Sequence, residues 1–302
     1  MTSQNLFGSK YPIIAMAMNK VSDVNLAIAV RKAGAIPSLS IFNYFTSSDY
    51  IDDNRLRSAL IRYKSAIGDC NIFLSLGVSE LIDKRFQKVI VEEQVRLIEL
   101  IPDSYGETPL SQFRNDQLAL AIDEVRSNGA LVFVKVLSVE HVIDDIDGVI
   151  LKGNDGAGRG TNNLEILFEK VRNKFANLPI IVSGGIGTSA QVKSFLDKGA
   201  VAVGIGTLFA ASVESSVSYE TKLKMVEAST ENITQLSTGA EQNALVFSST
   251  LNDNYNNTKG LLAGIKNPES GHIFAGKGIN DITEILPVDR IVQRLVDFLG
   301  LP

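Results

Sequence analysis

Two glycine-rich turns follow successive apolar segments and carry the most specific chemistry in the chain. Residues 178–183 (LPIIVS) lead into Gly184-Gly185, and residues 200–205 (AVAVGI) lead into Gly206-Thr207. A helix start is predicted after each turn, so backbone N–H groups and two helix dipoles can converge on one dianion. The pattern therefore predicts a phosphate site. The looser match of residues 185–190 (GIGTSA) to a dinucleotide fingerprint is weak, because an apolar run stands where that fold needs an acidic residue.

Two further features place positive charge near apolar segments. Residues 152–160 (KGNDGAGRG) follow another apolar run, and their glycines would let the backbone lie against a flat ring or a phosphate. Lys152 and Arg159 bracket this loop. Lys135 interrupts the apolar run 131–136 and is expected to donate to a cofactor, to form a Schiff base with a carbonyl substrate, or to extend into solvent.

The elements that must position these residues alternate between short apolar runs and amphipathic segments. This alternation is typical of parallel βα units and predicts a single α/β domain over residues 1–302, a (β/α)8 barrel of the TIM type. In such a barrel, the loops after the last two strands commonly hold a ligand phosphate. Strands are predicted at 12–17, 35–39, 71–76, 97–101, 131–136, 147–151, 179–183 and 200–204, and helices at 23–33 after a Ser22 cap, 52–67, 79–95, 110–127, 139–144, 164–175 and 189–196.

Beyond the eighth predicted strand the pattern changes. Residues 237–266 form a long polar insertion rich in Asn, Ser, Thr and Gly, which is expected to be either a lid or a mobile loop, covering the site or meeting a partner subunit of a homo-oligomer. Residues 284–299 return to an apolar periodicity, which predicts a final helix lying on the barrel.

Composition excludes several classes of partner. The 302 residues carry a net charge of −5 without a dense basic run, which argues against nucleic acid. No apolar stretch approaches the ~18 residues of a membrane span, and the start is polar. A single cysteine, Cys70, is consistent with a reducing compartment, so a cytoplasmic protein is predicted. No cluster has metal-ligand spacing, and a small-molecule substrate is expected.

Taken together, these residues resemble the nitronate monooxygenase family, which also includes flavin-dependent enoyl-ACP reductases and NADH:quinone reductases. The resemblance covers most of the chain and is strongest over residues 179–222. It is carried by Ser-Gly-Gly-Ile at 183–186, by the run GAVAVGIGTLF at 199–209, by Glu214-Ser215 with Lys222, and by FAGKGI at 274–279.

The resemblance implies FMN as cofactor, with NADH or NADPH as a further reductant in some members. By this resemblance, three groups of residues would contact FMN. The phosphate would be held by Ser183, Gly184, Gly185, Gly206 and Thr207, the ring would be backed by Met16, Ala17 and Met18, and the ring or ribityl chain would be contacted by Ser75, Lys135 and Gly156.

The loop after strand six departs from the family pattern. Members that oxidise nitronates carry Glu-Ala-Gly-Gly-His there, and an ungapped match places Arg159 at the histidine position. Arginine stays protonated near neutral pH and cannot act as a general base. Arg159 and Lys152 are therefore candidate catalytic residues for an anionic substrate, such as a nitronate oxidised with O2. The alternatives are an NAD(P)H-driven enoyl or quinone reductase, and a non-redox lyase or aldolase that binds a sugar phosphate and forms an imine on Lys152 or Lys135.

Overall fold

Eight parallel strands form one sheet in the computed structural model, which describes residues 6–44, 51–102, 116–160, 162–237, 243–247 and 273–299. The barrel strands are β1 (Ile13–Ala15), β2 (Ser38–Ser40), β3 (Phe73–Gly77), β4 (Leu97–Ile101), β5 (Leu131–Val136), β6 (Gly148–Lys152), β8 (Ile180–Ser183) and β9 (Ala202–Ile205), with a short strand β7 (Gly158–Gly160) in the loop after β6. Their order is β1-β9-β8-β6-β5-β4-β3-β2.

Residues just before β2 close this sheet into a barrel. Ile14 pairs with Ile36 in parallel, the Ala15 N–H donates to the Ile36 carbonyl at 3.0 Å, and the Ile36 N–H donates to the Ile13 carbonyl at 2.8 Å. The first and last strands of the sheet order are thereby joined. The predicted (β/α)8 TIM barrel is confirmed.

Helices connect the strands on the outside of the barrel. They are α1 (Val24–Lys32), α2 (Asp53–Ile67), α3 (Val78–Ile82), α4 (Lys84–Glu92), α5 (Asp116–Ser127), α6 (Leu164–Lys174), α7 (Ser189–Asp197), α8 (Thr207–Ala210), α9 (Tyr219–Glu227) and α10 (Val288–Leu295). The last of these confirms the predicted C-terminal helix. Among the described residues, no helix is both long and apolar enough to cross a membrane.

Three helix predictions were wrong in detail. Asp23, not Ser22, caps α1, because its carboxylate accepts from the N–H groups of the first turn, while the Ser22 hydroxyl donates to the Met16 carbonyl. The predicted helix 79–95 is broken at Asp83, whose extended backbone ends α3 and caps α4. Residues 139–144 contain only the single 3-10 turn Val139–His141, and the chain then turns at Asp145 through a left-handed φ of 58°.

The predicted polar insertion contains regular structure. Strands β10 (Ile233–Ser237) and β11 (Asn243–Phe247) form an antiparallel hairpin, and β12 (Ile273–Phe274) adds a third strand to it. Residues 243–247 of the predicted insertion are therefore part of a strand, and the role of the insertion as a lid or a mobile loop stays a prediction. The rest of the insertion, 238–242 and 248–266, lies outside the described residues.

The barrel interior is apolar near the amino-terminal ends of the strands and becomes polar towards their carboxyl ends. One inward position on each strand is apolar, and these side chains form a separate buried cluster with Phe7 and Met16. The rings of Phe7, Phe73 and Phe133 meet with centroids 5.6–5.9 Å apart and fill the amino-terminal half. These eight positions, which we call the apolar ring, are Ile14, Ile36, Phe73, Leu97, Phe133, Ile150, Ile181 and Ala202, of which Ile36 lies just before β2.

Candidate active site

The carboxyl end of the barrel carries a second inward ring of side chains, which we call the mouth layer. Side chains alternate between the two faces of a strand, so each member stands two residues after a member of the apolar ring. Six of the eight positions are polar or charged. The mouth layer consists of Met16, Ser38, Ser75, Glu99, Lys135, Lys152, Ser183 and Gly204. Active sites of such barrels lie at this end.

Glu99 and Lys135 form a buried ion pair in the mouth layer. The Lys135 ammonium contacts the Glu99 carboxylate, and only 1% of the Glu99 side chain and 14% of the Lys135 side chain are exposed. Lys135 therefore does not extend into solvent, and its nearest described partner is a carboxylate that sequence reasoning missed. A signal was present, because Glu99 interrupts the apolar run LIELI as Lys135 interrupts LVFVKV.

Lys152 ends β6 and lies partly buried beneath the loop that follows it. Its Nζ donates to the Ala157 carbonyl at 2.5 Å. Burial is the main cause that lowers the pKa of Lys152 to about 7, the Lys135 ammonium lowers it further, and the Glu99 carboxylate opposes both. A large fraction of this amine is therefore neutral near neutral pH, which is unusual for lysine.

The turn after β8 requires glycine at both of its positions. Gly184 has φ 117° and Gly185 has φ 76°, a region that side chains disfavour. A Cβ on Gly184 would lie 2.9 Å from the Gly153 carbonyl oxygen, and one on Gly185 would lie 2.5 Å from the Asp155 Cβ. The structure thus packs the β8 turn directly against the loop after β6, two segments that the sequence analysis singled out separately.

A late segment, residues 275–281, connects this loop to the turn after β9. The Gly276 N–H donates to the Thr207 hydroxyl at 3.2 Å. The Lys277 N–H donates to the Asp155 carbonyl at 2.9 Å, and its ammonium pairs with the Asp155 carboxylate at 2.7 Å. We call this segment the crossing segment, because it joins the loops after β6 and β9 at the barrel mouth.

The residues after β1 supply the apolar side of the mouth. Met16 is buried, and its thioether lies so close to Gly204 that a Cβ there would collide with it. The Met18 sulfur lies 3.6 Å from the position that a Cβ on Gly206 would take. Ala17 lies between these two methionines in the chain, so the predicted ring-backing residues do share one edge of the mouth.

Two observations test whether a phosphate-bearing flavin fits these residues. The turns at Gly184-Gly185 and Gly206 offer backbone with no Cβ, next to the start of α7 and of α8. Asn19 Oδ1 is buried and, among the described residues, has no hydrogen-bond partner, so a ligand N–H would satisfy a costly unpaired acceptor. The residues present therefore fit a phosphate-bearing flavin.

The remaining predicted site residues are Ser75, Ser183 and Arg159. Ser75 is buried in the mouth layer. The Ser183 hydroxyl donates to the Leu151 carbonyl at 2.9 Å and so helps to hold β8 against β6. Arg159 belongs to β7, which runs beside β11 of the hairpin. Within the described residues no group of acidic, histidine and cysteine side chains could hold a metal ion.

Comparison with known proteins identifies the family. The model of nitronate monooxygenase matches residues 2–297. A FabK point mutant from Thermotoga maritima is 24% identical with a TM-score of 0.79, covering 98% of this chain and 95% of that one. Nitroalkane oxidase from Streptomyces ansochromogenes is 19% identical with a TM-score of 0.74, covering 98% and 97%.

A third solved structure has the same fold. The enoyl reductase domain of MlnA, from the macrolactin biosynthesis cluster of Bacillus amyloliquefaciens, is 14% identical with a TM-score of 0.69, covering 98% of this chain and 95% of that one. At these identities the structures show a shared barrel, while the family match spans nearly the whole sequence. The chain therefore belongs to the nitronate monooxygenase family and is an oxidoreductase of the flavin type.

Proposed function

We propose that this protein is an FMN-dependent oxidoreductase that oxidises a small anionic, nitronate-like substrate with O2. The observation that carries the proposal is the charge of the mouth layer, in which Lys135 and Lys152 share a single carboxylate, Glu99. An anion bound beside Lys152 favours the protonated form of that amine, and the attraction between the two charges is far stronger in a poorly solvated site than in water. Arg159, in the loop that covers Lys152, is the second candidate cation.

FMN would be held by the residues already described. The phosphate would lie at the backbone of Gly184, Gly185, Gly206 and Thr207, near Ser183, where two helix starts favour a dianion. The flat ring would lie over Met16, Ala17 and Met18, with Ser75, Lys135 and Gly156 on the polar side. Bound FMN would supply the oxidant that removes two electrons from the substrate and delivers them to O2.

The chain's own residues would orient the substrate and neutralise its negative charge. The ion pair with Glu99 fixes the Lys135 ammonium at one place in the mouth layer, which avoids the entropy cost of ordering a free lysine when ligand binds. The crossing segment bonds to the loop after β6 through Lys277 and Asp155, and so holds the loop that covers Lys152 in one arrangement. Both features favour a small substrate held close to charged groups.

Oxygen consumption tests the proposal. FMN-loaded protein is mixed with propionate-3-nitronate or with alkyl nitronates, and O2 uptake is followed with an electrode. Uptake that depends on both FMN and nitronate is expected. A colourless protein that does not bind added FMN, or FMN-loaded protein with no uptake on any nitronate, would contradict it.

A reductase is the second candidate, because two of the similar structures are a FabK protein and an enoyl reductase domain. Such an enzyme would take its electrons from NADH or NADPH and pass them to an enoyl or quinone acceptor. Acceptor-dependent oxidation of NAD(P)H, together with no O2 uptake on nitronates, would favour this function over the first.

A further inference from the structure

We propose that Lys152 is the proton-exchanging residue of the site, and that its amine removes the α-proton of a neutral nitroalkane to form the nitronate within the barrel mouth. The substrate class rests on the proposed function. The proposal extends that function from preformed anions to their neutral carbon acids and assigns the base.

The position of Lys152 supports this role. It is the last residue of β6, on the inward face, and its Nζ is anchored by the Ala157 carbonyl at 2.5 Å. Gly156 lies directly against this nitrogen, and a Cβ on Gly156 would collide with it. The amine is therefore held at the mouth, next to a loop position that the sequence resemblance assigns to the flavin ring or ribityl chain.

The charges around Lys152 distinguish it from Lys135. Lys135, on β5, is neutralised by Glu99, on β4, whereas Lys152 donates to the neutral Ala157 carbonyl. Asp155, in the covering loop, is paired with Lys277. Burial and the neighbouring Lys135 ammonium lower the pKa of Lys152 to about 7, so an unprotonated amine is available near neutral pH, as an efficient general base requires.

The step balances without any oxidant. The Nζ lone pair takes the proton from the carbon that bears the nitro group, and the C–H electron pair moves into a C=N bond as a nitro oxygen gains the charge. The products are a nitronate and the Lys152 ammonium. The nearby ammonium groups stabilise that anion, and return of the proton reverses the step.

Hydrogen exchange tests the step apart from oxidation. Nitroethane is incubated anaerobically in D2O with the protein, with and without FMN, and loss of the α-proton signal is followed by NMR. We expect exchange faster than in buffer, and a loss of at least 50-fold in both Lys152→Met and Lys152→Arg, since arginine cannot give up its proton. Lys193→Met is the matched control, because Lys193 lies on the outer helix α7 in a surface pair with Asp197, and should leave exchange unchanged.

The pH profile of exchange separates a base from a merely structural lysine. The rate should rise with pH and reach half its maximum near the pKa of Lys152. Glu99→Gln removes the group that raises this pKa and should move the midpoint to lower pH, while adding Lys135→Met removes an opposing charge and should move it back upward. NMR of protein that carries carbon-13-labelled lysine gives the same midpoint directly, because the chemical shift of each lysine Cε follows the protonation of its amine. The signal that belongs to Lys152 is the one that disappears in Lys152→Met.

The two proposals fail in different ways. Wild-type protein that exchanges no faster than buffer, full exchange in Lys152→Met, or midpoints that do not move in Glu99→Gln would overturn the role of Lys152, even if nitronates are oxidised. Exchange that depends on Lys152 without any nitronate oxidation would instead preserve this role and contradict the proposed function.

Discussion

At the scale of single residues, the site depends on glycines whose conformation and surroundings both exclude a side chain. Gly185 combines a φ of 76° with a Cβ position 2.5 Å from the Asp155 Cβ. Gly68, at the end of α2, has a φ of 96° but nothing within 4 Å of its Cβ position. Alanine substitutions at Gly185 and at Gly68 therefore distinguish the effect of backbone strain from the effect of a steric collision in the site.

Gly185→Ala should weaken FMN binding by at least ten-fold, because the turn must move away from Asp155. Gly68→Ala should cost a similar backbone strain, roughly 1 kcal/mol of stability, without changing FMN affinity. Fluorescence titration with FMN and urea unfolding measure the two effects. Equal FMN affinities for the two variants would contradict the placement of the phosphate at this turn.

Lys152 should also make stability depend on pH. Its folded pKa of about 7 lies below the ordinary value of 10.5, so the unfolded chain binds more protons between these two values. The free energy of unfolding should therefore rise with pH from about 7 towards 10.5, with a slope of at most about 1.4 kcal/mol per pH unit.

Urea unfolding of FMN-free protein at pH 7, 8 and 9 measures this contribution as the difference between wild type and Lys152→Met. The subtraction cancels the pH-dependent contributions of other groups. One of these is Cys70, because burial raises its pKa to about 12. A difference that stays flat would show that Lys152 titrates normally in the folded protein, and one that falls with pH would show that folding raises its pKa.

At the scale of elements, the crossing segment holds the loops after β6 and β9 in one arrangement. A Cβ on Gly276 would lie 2.6 Å from both the Ala157 nitrogen and the Asp155 carbonyl oxygen, whereas one on Gly278 would be no closer than 3.3 Å to any atom. The contact at Gly276 is with backbone, which cannot move aside as a flexible side chain can.

Gly276→Ala should therefore release FMN at least five-fold faster than wild type, and Gly278→Ala should change the rate much less. Stopped-flow dilution of FMN-loaded protein into apoflavodoxin or another FMN trap measures the release. Identical rates in both variants would mean that the crossing segment does not support the cofactor loops.

In the whole molecule, the two ends of the barrel have different roles: one end is packed for stability, and the other carries the candidate active site. The Phe7, Phe73 and Phe133 rings fill the amino-terminal half, and the mouth layer occupies the other end. Phe7 is 1% exposed, although it precedes the first strand. A segment outside the sheet thus completes the barrel core.

Phe7→Ala should lower the free energy of unfolding by about 3–5 kcal/mol, the usual cost of truncating a buried phenylalanine. FMN affinity should stay within two-fold of wild type, since the substitution lies at the opposite end of the barrel. Urea unfolding and FMN titration test both statements, and a large loss of affinity in folded Phe7→Ala would contradict the separation.

Much of this architecture could be predicted from the sequence. Short apolar runs bounded by glycine and proline placed all eight barrel strands, and the Gly184-Gly185 and Gly206-Thr207 turns were correctly put after the last two. The capping residue of a helix was harder to predict where two adjacent residues can both cap it. Ser22 and Asp23 are both good caps, and only the hydrogen bond of Ser22 to Met16 decides between them.

The mouth layer was missed because its members are far apart in sequence. Lys135 and Lys152 were each recognised alone, but their relation to Glu99 depends on the registers of β4, β5 and β6. The two-residue offset from the apolar ring is visible in the printed sequence once the strand registers are known. Pairing between distant strands, rather than local propensity, sets which charges meet.

The central claim is that a flavin bound at this barrel mouth takes electrons from an anionic nitronate. Its most direct test is anaerobic mixing of FMN-loaded protein with propionate-3-nitronate, NADH or NADPH, while the flavin absorbance is followed in a stopped-flow instrument. We expect the nitronate to bleach the flavin band and the band to recover when O2 is admitted. A flavin that the nitronate leaves oxidised, while NADH or NADPH bleaches it, would rule out electron transfer from a nitronate.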